Sequence, residues 1–181
     1  GYNGIMDYKK YITEVQDFPN KGINFKDISP LLSDSSIFKE VIYKMAYLVN
    51  SAPDYWIGID ARGFLFASAL AMVRGGGLVM CRKAGKLPKP TANYSYQTEY
   101  SSDELSMHWG KGTAVIVDDV LATGGTLQAT NYLAGVAGYD VIDNLVLIDL
   151  KYVPRVITAM SDGSREFDLD VKSLIQYEDT I

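Results

Sequence analysis

The sequence is poor in cysteine and in excess positive charge, and each shortage excludes a class of protein. Cys81 is the only cysteine, so no disulfide bond can form within the chain. Because Cys81 lies in an apolar run, we expect a small buried side chain rather than a nucleophile.

The net charge is −5, whereas nucleic-acid-binding domains are usually basic. We therefore expect no nucleic-acid partner, and a site for a polyanion has to concentrate positive charge locally.

Long apolar runs are also missing. No stretch approaches the roughly 18 consecutive apolar residues of a membrane-spanning helix, and the start of the chain shows no signal peptide. We therefore expect a cytoplasmic protein without a membrane partner. The 181 residues fit one domain of the usual ~100–200 residues. Residues 1–5 precede Met6 and are expected to be a non-native addition outside the fold.

Two familiar phosphate-binding motifs are absent. A Walker A loop is excluded because no lysine follows Gly125, and no strand is followed by G-x-G-x-x-G. The most informative stretch is instead 115–126, VIVDDVLATGGT. In it an apolar run ends at Asp118 and Asp119, and a Thr-Gly-Gly-Thr cluster then leads into a segment that can be helical.

Each part of this stretch has a physical role. The apolar run predicts a buried parallel strand. Gly124 and Gly125 let backbone N–H groups come close to an anion, and the threonine hydroxyls add donors. The positive end of the following helix favours a phosphate, whereas the acidic pair suits hydroxyl groups or a hydrated Mg²⁺. A ribose 5-phosphate, with a phosphate at one end and a diol in the middle, fits both halves.

The order of the predicted elements indicates an α/β fold with a parallel sheet. Strands are predicted at 55–59, 78–81, 114–117, 141–150 and 167–177, and helices at 7–16, 35–50, 64–73 and 126–137. Residues 23–32 contain Pro30 and are expected to be extended or irregular, not helical. Strands of such a sheet are joined by right-handed crossovers, and ligands bind at the carboxyl ends of the strands. The loops 60–63, 82–86 and 118–126 should therefore meet in one crevice.

A long polar segment spans residues 84–110 and contains two prolines. It is too long for an ordinary connection, and segments of this kind are usually lids or long hairpins. We expect residues 84–106 to be mobile in the absence of ligand. His108, the only histidine of the chain, falls outside every motif and is expected at the surface.

Four segments together resemble the adenine phosphoribosyltransferases of the type I phosphoribosyltransferase family. They are 18–32 (FPNKGINFKDISPLL), 58–66 (GIDARGFLF), 82–100 (RKAGKLPKPTANYSYQTEY) and 115–126, with a weaker similarity at 173–178 (SLIQYE). The resemblance implies a central, mostly parallel sheet flanked by helices, a small N-terminal hood from about 7–34 and a flexible catalytic loop. It also implies transfer of 5-phosphoribosyl from phosphoribosyl pyrophosphate (PRPP) to adenine, giving AMP and pyrophosphate in purine salvage, and a homodimer.

The resemblance assigns residues to each part of the substrates. The ribose and 5-phosphate would be bound by Asp118, Asp119, Ala122, Thr123, Gly124, Gly125 and Thr126. The pyrophosphate would be bound by Asp60, Ala61, Arg62, Arg82, Lys83 and Lys86. Adenine would be bound by Asn24, Phe25, Lys26, Val120 and Leu121. Mg²⁺ would be held mainly by PRPP and water, near Asp118 and Asp119. Glu99 would be the catalytic residue that exchanges a proton with the purine.

The basic residues of this set also make physical sense without the resemblance. The planar guanidinium of Arg62 can bind a phosphate in a bidentate manner. Arg82, Lys83 and Lys86 place three positive charges within five residues, which suits the several negative charges of pyrophosphate.

Several positions depart from the family pattern, and two other functions stay open. Ala61 stands where the family has serine, Lys26 where it has arginine, and Val120 where it has leucine. One alternative is a phosphoribosyltransferase for another purine, such as xanthine or hypoxanthine. The other is a non-catalytic PRPP-binding regulator. The acidic pair, Glu99 and Arg62 favour catalysis, and the acidic chain leaves little room for a basic DNA-binding segment.

Overall fold

The structure, a computed structural model, describes residues 7–97, 102–156 and 167–179. The strands in these ranges are β1 (Thr13–Gln16), β2 (Asn24–Asp27), β3 (Tyr55–Ile59), β4 (Gly77–Lys83), β5 (Ala92–Gln97), β6 (Ser102–Met107), β7 (Gly112–Leu121), β8 (Tyr139–Leu150) and β9 (Val171–Tyr177). The α-helices are α1 (Ser29–Ser33), α2 (Ser35–Ala46), α3 (Arg62–Arg74) and α4 (Gly125–Ala137), and a 3₁₀ turn covers Tyr8–Tyr11.

Seven of the described strands form a mostly parallel sheet, as the sequence predicts, in the order β5-β6-β4-β3-β7-β8-β9. Strands β4, β3, β7, β8 and β9 run parallel to one another, whereas β6 is antiparallel to both β4 and β5. Strands β1 and β2 form a separate antiparallel pair. The chain leaves β3 towards β4 on one side and later enters β7 on the other side. This change of direction creates a crevice at the carboxyl ends of β3 and β7.

Helices cover both faces of the sheet, which explains why the central strands are apolar throughout. Trp56 and Val115 point into the core beneath α2 and α3, while the next residues along each strand, Ile57 and Ile116, point into the core beneath α4. All four side chains are fully buried. Burial of each stabilises the fold by roughly 1.5–3 kcal/mol relative to exposure. A strand buried on both faces therefore reads as a continuous apolar run.

Two of the predicted elements are wrong at the N-terminal end. The helix predicted at 7–16 is a short 3₁₀ turn followed by β1, because 13–16 pairs with β2 along its whole length. Residues 23–32 are predicted to be extended or irregular, which β2 confirms for the first half, whereas the helix α1, which begins at Ser29, contradicts it for the second half. Pro30 lies at the start of α1, where its missing N–H costs no intrahelical hydrogen bond.

Other elements are confirmed, with shifted ends. The strand predicted at 55–59 is β3. The strand predicted at 114–117 extends as β7 through the acidic pair to Leu121. The long polar segment contains the antiparallel hairpin β5–β6. No helix in the described ranges is long and apolar enough to cross a bilayer.

Candidate active site

The three predicted loops meet in a cavity of about 490 Å³. It lies at the carboxyl ends of β3, β4 and β7 and is closed on one side by the β5–β6 hairpin. Its lining residues are Ile59, Asp60, Ala61, Arg62, Lys83, Tyr96, Asp103, Leu105, Asp118, Asp119, Val120, Ala122 and Thr126. Acidic and basic side chains therefore share one cavity, which suits a ligand that carries both hydroxyl and phosphate groups.

Helix α3 begins at this crevice and approaches β7 very closely. A Cβ atom at Gly63 would lie 2.7 Å from the Val117 carbonyl oxygen, so only glycine allows this packing. The peptide bond between Asp60 and Ala61 is cis. Ala61 occupies the N-cap of α3 and offers no side-chain acceptor, so the N–H groups of the first turn can receive an anion.

The acidic pair and Arg62 form one ionic group at the centre of the crevice. Arg62 Nε donates a hydrogen bond to Asp119 Oδ2, and its guanidinium lies 5.7 Å from the centre of the Phe25 ring. Burial, together with the neighbouring charge of Asp119, raises the pKa of Asp118 well above its ordinary range. The Arg62 side chain is still 54% exposed, so it can leave Asp119 and turn to an incoming anion.

The loop 122–126, which we call the phosphate loop after its predicted role, joins β7 to α4. Gly124 forms the N-cap of α4 with a φ of +84°, a conformation that favours glycine. Because Gly124 has no side chain, the first N–H groups of α4 have no capping acceptor at this position. A small cavity of about 120 Å³ lies against the loop. This arrangement leaves backbone N–H donors of the loop and of the first turn of α4 available to an anion.

The predicted basic cluster is only partly inside the crevice. Lys83 lines the cavity. Arg82 Nε donates to Asp60 Oδ2 at 3.3 Å, which orients the loop that follows β3. Lys86 is exposed, and its carbonyl oxygen accepts from Arg82 Nη1 at 3.4 Å. Arg82 and Lys86 thus take part in positioning the loops rather than in lining the cavity.

Of the predicted adenine-binding residues, only Val120 lines this cavity, and Phe25 lies against its lining residue Arg62. Phe25 is half-buried beneath Arg62 and contacts the Phe18 ring edge-on, with centroids 5.1 Å apart. Val120 lines the crevice, whereas Leu121 packs into the core beneath α4. Successive residues of a strand point to opposite faces, so Val120 alone of this pair faces the crevice.

The side chain of Lys26 is buried and supports the β1–β2 pair. Its ammonium group forms an ion pair with Glu14 and lies 4.4 Å from the centre of the Tyr177 ring. Asn24 lines a neighbouring cavity of about 380 Å³, and within the described ranges its amide group has no hydrogen-bond partner. Because the Lys26 ammonium group is engaged by Glu14, only the backbone of Lys26 is available to form hydrogen bonds with a base.

Several lining residues were not found from the sequence. Tyr96, Asp103 and Leu105 come from the β5–β6 hairpin, and the Tyr96 hydroxyl lies 3.0 Å from Thr126 Oγ1 in the phosphate loop. The alternation of Tyr94 and Tyr96 along β5 was the available signal, since it is typical of a strand with one buried face. Glu99, the predicted catalytic residue, lies outside the described residues.

The expectations for Cys81 and His108 are confirmed. Cys81 is fully buried, and burial raises the pKa of its thiol to about 12. The thiolate is therefore not formed near neutral pH, which removes Cys81 as a nucleophile. His108 is exposed, and its Nε2 lies 3.1 Å from the Pro88 carbonyl oxygen.

Comparisons with known proteins agree with this geometry. Residues 31–149 match the family described as Phosphoribosyl transferase domain. A protein of Bdellovibrio bacteriovorus named adenine phosphoribosyltransferase is 42% identical over 95% of this chain and 100% of its own length. The crystal structure of adenine phosphoribosyltransferase from Thermoanaerobacter pseudethanolicus has a TM-score of 0.82 and 38% identity, and covers 93% of this chain and 97% of its own. The Saccharomyces cerevisiae enzyme of the same name, solved with an imino-altritol bisphosphate and adenine, has a TM-score of 0.77 and 28% identity, and covers 91% of this chain and 94% of its own.

Proposed function

This chain belongs to the phosphoribosyltransferase family, and from that membership we propose that it transfers the 5-phosphoribosyl group of PRPP to adenine. The products are AMP and pyrophosphate, so the protein is a pentosyltransferase of purine salvage. The observation that carries this proposal is the meeting of two helix N-termini and an acidic pair in one crevice. Each of the three charged or hydroxylated parts of PRPP has a chemically matched partner there.

PRPP lies across the crevice in a defined direction. Its 5-phosphate binds at the phosphate loop, at the positive end of α4. Its ribose diol meets Asp118 and Asp119. Its pyrophosphate binds at the start of α3, where Arg62 and Lys83 supply positive charge. Arg62 then exchanges its bond to Asp119 for a bidentate bond to a phosphate, which leaves Asp119 to the diol.

Adenine binds between the Phe25 ring and Val120, and the backbone of β2 near residues 24 and 26 reads its edge. A site built around the 6-amino edge leaves buried polar groups unpaired when a 6-oxo purine binds, and this discriminates strongly. The ion pair of the buried Lys26 with Glu14 holds the strand that carries these backbone groups. The yeast relative that was solved with adenine supports the choice of base.

Mg²⁺ is the proposed cofactor, and the protein supplies only part of its ligands. Among the described residues no group of three or more acidic, histidine or cysteine side chains converges on a metal position. Asp118 and Asp119 provide two carboxylates, and Arg62 occupies one of them. These residues fit an ion that is held mainly by PRPP oxygens and water. The ion would neutralise charge on the departing pyrophosphate.

The reaction breaks the bond between C1 of the ribose and the pyrophosphate oxygen and forms a bond from C1 to N9 of adenine. The proton of N9 is lost, and we propose that Glu99 accepts it. The β5–β6 hairpin, which carries residues 98–101 between its strands, would close over the site and exclude water.

We further propose a single phosphoribosyltransferase domain, located in the cytoplasm, in which residues 7–34 form a hood over the base. The chain would act as a homodimer. An apolar groove of about 360 Å³ on α3 supports this, because it is lined by Leu65 and Met72. Met72 is 86% exposed, and exposed apolar patches commonly mark interfaces.

The test is a steady-state assay of pyrophosphate release from PRPP and Mg²⁺ with adenine, hypoxanthine, guanine and xanthine offered separately. We expect adenine to give the highest kcat/KM. Consumption of a 6-oxo base without consumption of adenine would contradict the proposed specificity. Binding of PRPP without release of pyrophosphate for any base would favour a regulator instead.

A further inference from the structure

Residues that follow β8 donate hydrogen bonds to backbone carbonyl groups of the phosphate loop. The carbonyl oxygen of Ala122 accepts from Arg155 Nη1 at 2.5 Å. The next carbonyl oxygen along the loop, that of Thr123, accepts from the backbone N–H of Val156 at 2.8 Å. Two successive carbonyl groups of the loop therefore point towards the segment 149–156.

The third carbonyl group of the loop, that of Gly124, points along α4, because it accepts from the backbone N–H of Gln128 at 3.0 Å. The Gly124 carbonyl oxygen accepts from Gln128 Nε2 at 3.0 Å, and the same amide nitrogen donates to the Val156 carbonyl oxygen at 2.7 Å. The small cavity against the loop is lined by residues between 118 and 127 and by Val146. Neither Arg155 nor Val156 lines this cavity.

This orientation of the carbonyl groups decides where the loop's N–H groups point. The peptide bonds of the loop, which lies within the described residues, are trans. In a trans peptide unit the C=O and the following N–H point in opposite directions. Fixing the carbonyl groups of 122 and 123 towards the segment 149–156 turns the N–H groups of 123 and 124 away from it, and these join the free N–H groups of the first turn of α4 as donors to an anion.

We propose that Arg155 is a positioning residue for the 5-phosphate, which it orders without contact through the backbone of the phosphate loop. This inference rests on the proposed function. Arg155 suits the task because its planar fork serves several acceptors at once. Besides Ala122, it donates to the Leu150 carbonyl oxygen at 3.1 Å and forms an ion pair with Asp149.

The Arg155 side chain is itself fixed in place. Asp149, at the end of β8, is 7% exposed, so its carboxylate is anchored to the sheet. The guanidinium of Arg155 lies 5.7 Å from the centre of the Phe167 ring. Phe167 in turn packs directly against Gly124, since a Cβ atom added there would lie 2.6 Å from its ring. Without Arg155, the Ala122 carbonyl loses a charged donor and can rotate towards the phosphate, which it would repel.

The test measures binding of the two halves of PRPP separately, by calorimetric titration of ribose 5-phosphate and of pyrophosphate. In Arg155→Met we expect the Kd of ribose 5-phosphate to rise about tenfold, the usual effect of losing a charge-assisted hydrogen bond. The Kd of pyrophosphate, which binds at α3, should stay unchanged. Arg155→Lys keeps the charge but serves fewer acceptors, so it should give a smaller increase of the same kind.

Arg74 offers a matched control, because it also donates to backbone carbonyl groups. Its Nη1 reaches the carbonyl oxygens of Ala46 and Val49 at the far end of α3 from the crevice. Arg74→Met should lower the melting temperature and leave both Kd values unchanged.

If Arg155→Met weakens the binding of both ligands equally, or of neither, the positioning role is wrong. If Arg155→Met does not fold, Arg155→Lys carries the same comparison, and wild-type Kd values in that variant would refute the role. Failure of the wild-type protein to bind ribose 5-phosphate would instead contradict the proposed function.

Discussion

At the scale of single residues, the acidic pair costs the fold stability. Burial and the charge of Asp119 raise the pKa of Asp118, so the folded protein holds this proton to a higher pH than the unfolded chain does. The free energy of unfolding therefore falls as the pH rises from the ordinary pKa of an aspartate to the raised one. Above the raised pKa the cost is present in full. A strained charge pair of this kind is typical of functional sites.

Replacing Asp118 with asparagine should separate stability from activity. Asp118→Asn keeps the shape and removes the repulsion, so at a pH above the raised pKa the melting temperature should rise by about 2–4 °C for each kcal/mol relieved. This gain should shrink as the pH falls, because wild-type Asp118 is then protonated. The kcat/KM for PRPP should fall at the same time. Calorimetry as a function of pH and steady-state kinetics measure both effects.

Asp143 provides the control for this prediction. It accepts from Lys172 Nζ at 3.0 Å and lies in β8, outside the crevice lining. Asp143→Asn should lower the melting temperature slightly and leave kcat/KM unchanged. An Asp118→Asn variant with full activity, or one that is less stable at every pH, would show that the acidic pair has another role.

At the scale of elements, the close approach of α3 to β7 places the anion-binding end of the helix. Gly63→Ala would put a Cβ atom 2.7 Å from the Val117 carbonyl oxygen, so backbone atoms must move. We expect a loss of about 1–3 kcal/mol in unfolding free energy. The affinity for pyrophosphate should fall more, relative to the wild-type protein, than the affinity for ribose 5-phosphate. Chemical denaturation and titration measure these changes.

Gly135 is the matched glycine for this comparison, because it lies inside α4 with open space where a Cβ atom would be. Gly135→Ala should stabilise the protein by roughly 0.5–1 kcal/mol without changing either affinity. If Gly63→Ala behaves like Gly135→Ala, the packing of α3 does not control the pyrophosphate site.

Glu99 lies in the sequence between β5 and β6, and its proposed role in proton transfer can be tested by substitution. Glu99→Gln keeps the size of the side chain and removes its basic oxygen, so kcat should fall by roughly 10²-fold while the KM for PRPP changes little. Glu104→Gln, on the exposed side of the same hairpin, should be silent. Steady-state kinetics measure both variants. An unchanged kcat in Glu99→Gln would contradict the proton-transfer role.

The elements also explain how far the sequence predicts this structure. Strand β3 is predictable because its apolar run ends abruptly at Asp60, and α4 because Gly124 marks its start. The 3₁₀ turn and β1 are not, because β1 exists only through its pairing with β2. Helix α1 is hard to predict because Pro30 breaks a helix at most positions, although proline is favoured in the first turn.

The candidate site divides in the same way. The loops after β3, β4 and β7 are predictable, since parallel strands bring their carboxyl ends to one edge. Tyr96 reaches the crevice only because the hairpin folds back onto α4. Arg155 reaches the phosphate loop from 33 residues away, and no local pattern marks such a contact.

At the scale of the whole molecule, the apolar groove on α3 predicts association. Light scattering at micromolar concentration should give twice the chain mass of 20.0 kDa. Met72→Lys places a charge in the groove and should shift the mass towards the monomer. Val136→Lys, at an exposed position of α4, should leave it unchanged. A wild-type mass of one chain would contradict the proposed homodimer.

The whole crevice is proposed to hold one PRPP molecule, with its two phosphate ends at two different helices. The most direct test is a competition titration with ribose 5-phosphate and pyrophosphate. We expect both ligands to bind at the same time, each displacing PRPP, because the first occupies the start of α4 and the second the start of α3. If the two exclude each other, or if neither displaces PRPP, the proposed division of the crevice is wrong.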